Sequence, residues 1–210
     1  MMSIQLASYY ARQNKTVALC DHDEQQSSMD WLRCRKAQYP KIHGIEFYKH
    51  KIVTNRFDVV IHDMPVSGDV SELASSIQGH QLLIPVLPSP TDIKATVRFL
   101  MALNRSDIVL SNPNKIGLVA NRVNVRTSYF KVLVSFLHQV NLPIIGYLRE
   151  TQNYVRCISA GGGVFDMPPK QFSIELAQWQ PIIDWLNVPE GNDTIVEEQT
   201  GRSHQKSSAV

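Results

Sequence analysis

The sequence predicts an α/β protein with a Rossmann-like parallel sheet covered by helices on both faces. Short apolar segments alternate along the chain with stretches whose apolar residues recur at helical spacing. The apolar segments are continuous rather than alternating, as in strands that are buried on both faces. Hydrophobic residues make up 43% and charged residues 19% of the 210 residues, which suits one globular domain.

The predicted elements follow one another in a regular order. Strands are expected at residues 16–20, 57–62, 81–87, 115–120 and 143–146. Helices are expected at residues 3–13, 91–104, 128–140 and 172–186, with another that Ser27 or Ser28 caps. We expect residues 1–188 to form the domain. Residues 189–210 lack aromatic residues and periodicity, which predicts a disordered tail.

Composition excludes several classes of protein. Cys20, Cys34 and Cys157 are far apart and form no CxxC pair, so neither a disulfide framework nor a cysteine zinc site is expected. No long apolar run or secretory signal pattern occurs, which favours a cytoplasmic protein. The net charge of +2 does not by itself indicate nucleic acid. Between residues 115 and 165, however, Glu150 is the only acid among several basic residues.

Polar side chains follow the predicted strands. Asp21 and Asp23 come after the first strand, Asp63 after the second, and Asn121 and Arg122 after the fourth. Ligands of parallel α/β sheets bind beyond the carboxyl ends of the strands, so these residues are expected to meet at one edge. Carboxylates there suit a hydrated Mg²⁺ ion, and an apolar strand that ends in Asp is typical of the Walker-B element of phosphate-loop NTPases.

Two alternatives remain open for these residues. Each Asp also fits a role as a helix cap or a solvated loop residue. His22 and His62 lie beside the acids, and a His/Asp cluster could instead hold zinc or iron, although their spacing matches no standard metal motif.

Five segments, in order, resemble the ParA/MinD-like ATPase family. The first two are TVALCDHDEQQSS, which is similar to the strand and Asp-x-Asp loop of that family, and FDVVIHDMPVSG, which is similar to its Walker-B strand. The others are LLIPVLPSPTDIKAT, GLVANRVNVRTS and GYLRETQNYVRCISAGGGVFDMPP. The resemblance runs from Ser3 to about Leu186, and it is strongest to small ParA partition proteins.

The resemblance implies an ATP and Mg²⁺ site. Asp23 would orient or activate the attacking water, Asp21 would support the magnesium shell, and Asp63 would hold a magnesium-bound water. Asn121 would read the adenine edge, with Arg122 beside it, because an amide offers both a donor and an acceptor to the base.

The resemblance also implies a function in DNA partition or intracellular cargo positioning. ATP would promote homodimerisation and non-specific DNA binding through Arg126, Arg149 and Arg156, with a ParB-like or cargo adaptor protein as partner. We expect a cytoplasmic, nucleoid-associated protein with no membrane partner, because the tail lacks an amphipathic basic helix. The alternative is a catalytically inactive ParA-like fragment that acts as an interaction or scaffold protein.

The sequence departs from the family pattern at three places. Glu24 replaces a proline, and His62 replaces an aliphatic residue. Met1 and Met2 stand where two threonines end the Gly-Gly-x-Gly-Lys-Thr-Thr phosphate loop, so that loop and the strand before it would precede Met1. Either the true product begins upstream, or the chain is truncated and inactive. Loss of that strand, which is normally central in the sheet, would leave two unpaired strand edges inside the fold.

Overall fold

The computed structural model describes residues 1–46, 56–65, 81–105 and 115–188. The disordered tail expected at residues 189–210 lies outside these ranges. The elements in chain order are α1 (Met2–Arg12), β1 (Val17–Asp21), α2 (Ser27–Arg33), β2 (His43–Glu46), β3 (Val59–Asp63), β4 (Leu82–Val86), α3 (Pro90–Arg105), β5 (Ile116–Val123), α4 (Ser128–Gln139), β6 (Ile144–Arg149), α5 (Gln152–Ser159), a short 3₁₀ turn (Val164–Asp166) and α6 (Ser173–Leu186).

The strands form two three-stranded parallel sheets, which confirms the predicted α/β class. The first sheet has the order β2-β1-β3 and the second has the order β4-β5-β6. β1 and β5 are central in their sheets, and every residue of β1 is buried. Within the described residues, β3 pairs only with β1 and β4 only with β5. β2, β3, β4 and β6 are therefore the edge strands of the sheets that the described residues form.

One apolar cluster joins the two sheets. Leu6 of α1, Val119 of β5 and Trp179 of α6 are almost completely buried in it, and Ile61 of β3 and Leu83 of β4 pack against it. The cluster therefore takes residues from both sheets and from the first and last helices. Burial of such side chains is the main stabilising contribution to a fold of this size.

A buried ion pair ties the segment after α2 to the 3₁₀ turn. Arg35 Nη1 lies 2.9 Å from Asp166 Oδ2, with side chains only 6% and 0% exposed. Asp166 Oδ2 also accepts a hydrogen bond from the Gly163 amide at 2.8 Å. Trp31 of α2 donates to the Gly162 carbonyl at 3.2 Å. These contacts hold the C-terminal end of α2 against the glycine run that follows α5.

The structure corrects several predicted boundaries. β5 extends to Val123, so Asn121 and Arg122 lie inside the strand rather than after it. The residue before α2 is Gln26, in a left-handed conformation with φ 53°, so neither predicted serine is the N-cap. β2 and α5 were not predicted; β2 is four residues long and exposed at its start, and α5 is only eight residues long.

Candidate functional site

Asp21 organises the loop that follows β1. Its side chain is 1% exposed. Oδ1 accepts a hydrogen bond from the Asp23 amide at 3.0 Å, and Oδ2 accepts from the amides of Ser28 at 3.1 Å and Met29 at 3.3 Å. Asp21 therefore supplies, from the end of β1, the acceptor that satisfies the first amides of α2.

Asp63 lies directly beside Asp21. The two residues are paired in register at the carboxyl ends of the parallel strands β1 and β3. Ser28 donates its hydroxyl to Asp63 Oδ2 in a short hydrogen bond, and the His22 amide donates to the Asp63 carbonyl at 3.0 Å. The structure thus brings together two predicted carboxylates and adds a hydroxyl that the sequence suggested only as a helix cap.

Asp23 lies in the loop after β1, where its amide donates to Asp21 Oδ1. Its side chain is partly exposed, and Oδ1 accepts a hydrogen bond from the Gln25 amide at 2.9 Å. Asp23 is thus held in a tight turn and stays partly exposed, whereas Asp21 is buried.

His22 and His62 meet at the same edge. His22 Nε2 lies 2.8 Å from His62 Nδ1, a hydrogen-bond distance, and the rings are 5.0 Å apart. Among the residues that the structure describes, no group of three or more His, Cys, Asp or Glu side chains is arranged to hold a metal ion. The arrangement therefore gives no support to the zinc or iron alternative.

Asn121 and Arg122 lie near the carboxyl end of β5, in the second sheet. Asn121 is partly buried, whereas Arg122 has a left-handed φ of 53°. Arg122 Nη2 lies 2.9 Å from Glu150 Oε1, and both side chains are 54% exposed. Glu150 follows β6 directly and pairs with Arg122, one of the two residues predicted at the base. The sequence analysis assigned no role to Glu150.

A surface pocket of about 570 Å³ opens beside these strand ends. It contains the two aromatic residues Phe130 and Tyr147, whose ring centroids are 6.4 Å apart. Its polar lining includes Arg126, Arg149 and Glu150. We call it the arginine pocket, because it brings together two of the three arginines that the resemblance assigns to DNA.

Arg149 is held by a carboxylate that the sequence analysis did not assign. Glu175 of α6 is 1% exposed, and its Oε1 accepts from Arg149 Nε at 3.0 Å and Nη2 at 2.5 Å. Asn153 donates to the same oxygen at 3.0 Å. Burial alone would raise the pKa of Glu175, but the hydrogen bonds from Arg149, the backbone and Asn153 lower it below its ordinary value.

The sequence did carry a signal for Glu175. This residue precedes Trp179, Ile182 and Ile183 by four, seven and eight positions, so it lies on the buried face of the closing helix. A charged residue on such a face requires a partner. The remaining DNA candidates, Arg126 and Arg156, are both exposed.

The two parallel sheets and the helices that connect their strands have the P-loop NTPase fold. The septum site-determining protein MinD of Pyrococcus horikoshii, solved with Mg-ADP, has this fold, with a TM-score of 0.60, 12% identity and coverage of 88% of this chain and 87% of that one. A putative plasmid partition protein of Borrelia burgdorferi, solved with AMPPNP, matches with a TM-score of 0.63, 15% identity and coverage of 87% and 90%.

The chain belongs to the CobQ/CobB/MinD/ParA nucleotide binding domain family, whose model matches residues 1–164. A relative is the maintenance of carboxysome distribution protein A of Halothiobacillus neapolitanus, which is 26% identical over 165 residues, 74% of this chain and 76% of that protein. None of the helices in the described ranges combines the length and apolar character needed to span a bilayer.

Proposed function

We propose that this chain forms the nucleotide-switch part of a ParA-like ATPase that positions DNA or another intracellular cargo. The observation that carries the proposal is the in-register pair of Asp21 and Asp63 at the carboxyl ends of β1 and β3. Family membership and the likeness to a carboxysome-distribution protein support the positioning role.

The oxygen atoms at these strand ends fit Mg²⁺. Mg²⁺ prefers oxygen ligands and keeps several of its waters, so few protein ligands are needed. Asp63 would hold a magnesium-bound water, and the Ser28 hydroxyl, which donates to Asp63, would lie beside it. Asp21 already accepts three backbone amides, so it would act by holding α2 and its serine in place. The bound ion would neutralise charge on the nucleotide phosphates.

Asp23 and Asn121 would complete the nucleotide site. Asp23 is partly exposed in the loop after β1, where it would orient the attacking water. Asn121 would present its amide to the adenine edge, with Arg122 and Glu150 beside it. Both assignments come from the resemblance to the family.

In the proposed cycle, the bound nucleotide controls binding to DNA. ATP binding would favour a homodimer that associates with DNA non-specifically through Arg126, Arg149 and Arg156, and hydrolysis would release both. An adaptor protein, ParB-like or specific to another cargo, would link the dimer to its cargo. Such a protein would be cytoplasmic and nucleoid-associated.

Nucleotide binding and hydrolysis test the carboxylate site. The assay uses a fluorescent ATP analogue with and without Mg²⁺, together with phosphate release, on the 210-residue chain and on a chain extended by upstream in-frame codons. Asp63→Asn should abolish the magnesium-dependent part of nucleotide affinity. Asp23→Ala should preserve affinity and slow hydrolysis by about 100-fold or more.

Asp30→Asn is the matched control, because Asp30 is an exposed carboxylate on the outside of α2. It should leave both measurements unchanged. Hydrolysis at the unmutated rate by Asp23→Ala would contradict the assigned mechanism. Failure of both chains to bind nucleotide would favour the alternative of a non-catalytic interaction protein.

Retention on DNA across a salt series tests the second half of the proposal. Each of Arg126→Ala, Arg149→Ala and Arg156→Ala should weaken retention and reduce the salt slope by about one. Arg12→Ala, at an exposed arginine of α1, is the control. An arginine whose removal leaves retention unchanged is not part of the site.

A further inference from the structure

The arginine pocket contains a negative charge that a phosphate-binding surface does not require. Glu150 lies exposed at its edge, whereas Glu175 is buried behind Arg149. A carboxylate beside an arginine offsets the positive charge that would attract a phosphate. Glu175 does so at close range and out of water, where screening by salt is weak.

The geometry of the pair shows which part of Arg149 is occupied. A guanidinium presents five N–H donors in a rigid fork, and two adjacent donors can bind a phosphate bidentately. Arg149 Nε and Nη2 both point at Oε1 of Glu175. One bidentate edge is therefore already used, although the side chain is 36% exposed.

The second oxygen of Glu175 is buried and has no hydrogen-bond partner within the described residues. The side-chain donors that reach the carboxylate, from Arg149 and Asn153, converge on Oε1. Arg149 therefore carries most of the compensation for a buried charge. Any phosphate that draws Arg149 outward must compete with that requirement.

We propose that Glu175 limits the affinity of the arginine pocket for nucleic-acid phosphates by occupying one edge of Arg149 and offsetting its charge. The inference rests on the proposed function, because it concerns the DNA face of the same protein. It adds a residue that sets the strength of binding: Glu175 keeps association weak and reversible, as a protein that cycles on and off DNA requires.

Fluorescence anisotropy with a labelled duplex of arbitrary sequence, across a salt series, tests the proposal on the full chain. Glu175→Gln keeps the shape of the side chain and removes its charge. It should bind the duplex about tenfold more tightly than the unmutated protein at low salt. Glu150→Gln is the matched control, because it removes an exposed charge from the same pocket without releasing Arg149. Its gain should be clearly smaller.

The double variant Arg149→Ala/Glu175→Gln tests whether Glu175 affects duplex affinity through Arg149. It should bind like Arg149→Ala alone, because the charge of Glu175 acts through Arg149. Binding by Glu175→Gln that is equal to or weaker than the unmutated protein would overturn the proposal and leave the DNA-binding function intact. A gain that survives removal of Arg149, or an equal gain from Glu150→Gln, would also overturn it.

If neither the unmutated protein nor any variant binds the duplex at low salt, both this inference and the proposed DNA-binding function are wrong. If Glu175→Gln does not fold, as thermal unfolding would show, the unmutated protein is observed instead by NMR of the Arg149 Nε–H group. That signal should shift when the duplex is added, and an unchanged signal at saturation would refute the competition.

Discussion

Replacement of Asp166 by Asn should destabilise the fold far more than loss of a surface charge. The substitution is nearly isosteric, but it removes the charge that faces Arg35 and replaces one acceptor oxygen with an amide donor. The Arg35 side chain is 6% exposed and that of Asp166 is fully buried, so water cannot replace the lost partner. Asp166 lies in the 3₁₀ turn and pairs with the segment after α2. Its replacement therefore weakens a tertiary contact and lowers the free energy of unfolding.

The magnitude follows from the contacts that remain. Breaking a buried ion pair by removing one partner costs about 3–5 kcal/mol. Arg35 would still donate to the Pro40 carbonyl at 3.0 Å, and its guanidinium lies 5.1 Å from the Trp31 ring. The Asn side chain can still accept from the Gly163 amide. We therefore expect the lower end, about 3 kcal/mol, of a total free energy of unfolding of about 5–15 kcal/mol.

Urea unfolding followed by tryptophan fluorescence measures this loss. With an m-value of about 2 kcal/mol/M, the midpoint should fall by about 1.5 M at constant m. Asp30→Asn is the control, because Asp30 pairs with Arg33 at the surface, with 68% and 58% of the side chains exposed. Its effect should stay below about 1 kcal/mol. Equal midpoints for the two variants would refute the structural role of the buried pair.

Three further predictions concern other parts of the molecule. Gly161→Ala should lower the free energy of unfolding by about 2 kcal/mol or more, measured in urea, because φ is 73° and a Cβ would lie 2.2 Å from the Cys34 carbonyl oxygen. An aromatic disulfide reagent at about pH 8 should modify the exposed Cys34 first, because burial raises the pKa of Cys20 to about 12 and that of Cys157 to about 11. Early modification of either buried thiol would contradict this. The pKa of Glu175 is lowered from 4.5, so its contribution to stability is present above that value and is lost as the pH falls through the folded pKa. As the pH falls below 4.5, the free energy of unfolding should therefore decrease more steeply for the unmutated protein than for Glu175→Gln.

The α/β class and most of the strands were accessible from sequence because buried parallel strands are continuous apolar runs. β1 and β3 were predicted to within a few residues for that reason. β2, which pairs with β1, was missed, since a four-residue strand with exposed residues carries no comparable pattern. The end of β5 was placed too early, because Asn121 and Arg122 are polar yet belong to the strand.

The carboxylates of the candidate site were also accessible, since the ends of parallel strands share an edge. Asp21 and Asp63 were expected to be neighbours and are paired in register. The different hydrogen-bond partners of these two carboxylates could not be predicted from the sequence. They depend on the path of the loop after β1, which brings the amides of Ser28 and Met29 back to Asp21 and the Ser28 hydroxyl to Asp63.

The sequence by itself determined the class of fold, the family and the residue types gathered at the strand ends, because these depend on local pattern and order along the chain. Only the tertiary structure decided which charges are partnered. Arg149 and Glu175 are 26 residues apart, and Arg35 and Asp166 are 131 apart. Neither separation has a periodicity that a pattern could reveal. Partners at such distances are selected by packing, because a buried charge is tolerated only where the fold brings an opposite charge within hydrogen-bond reach.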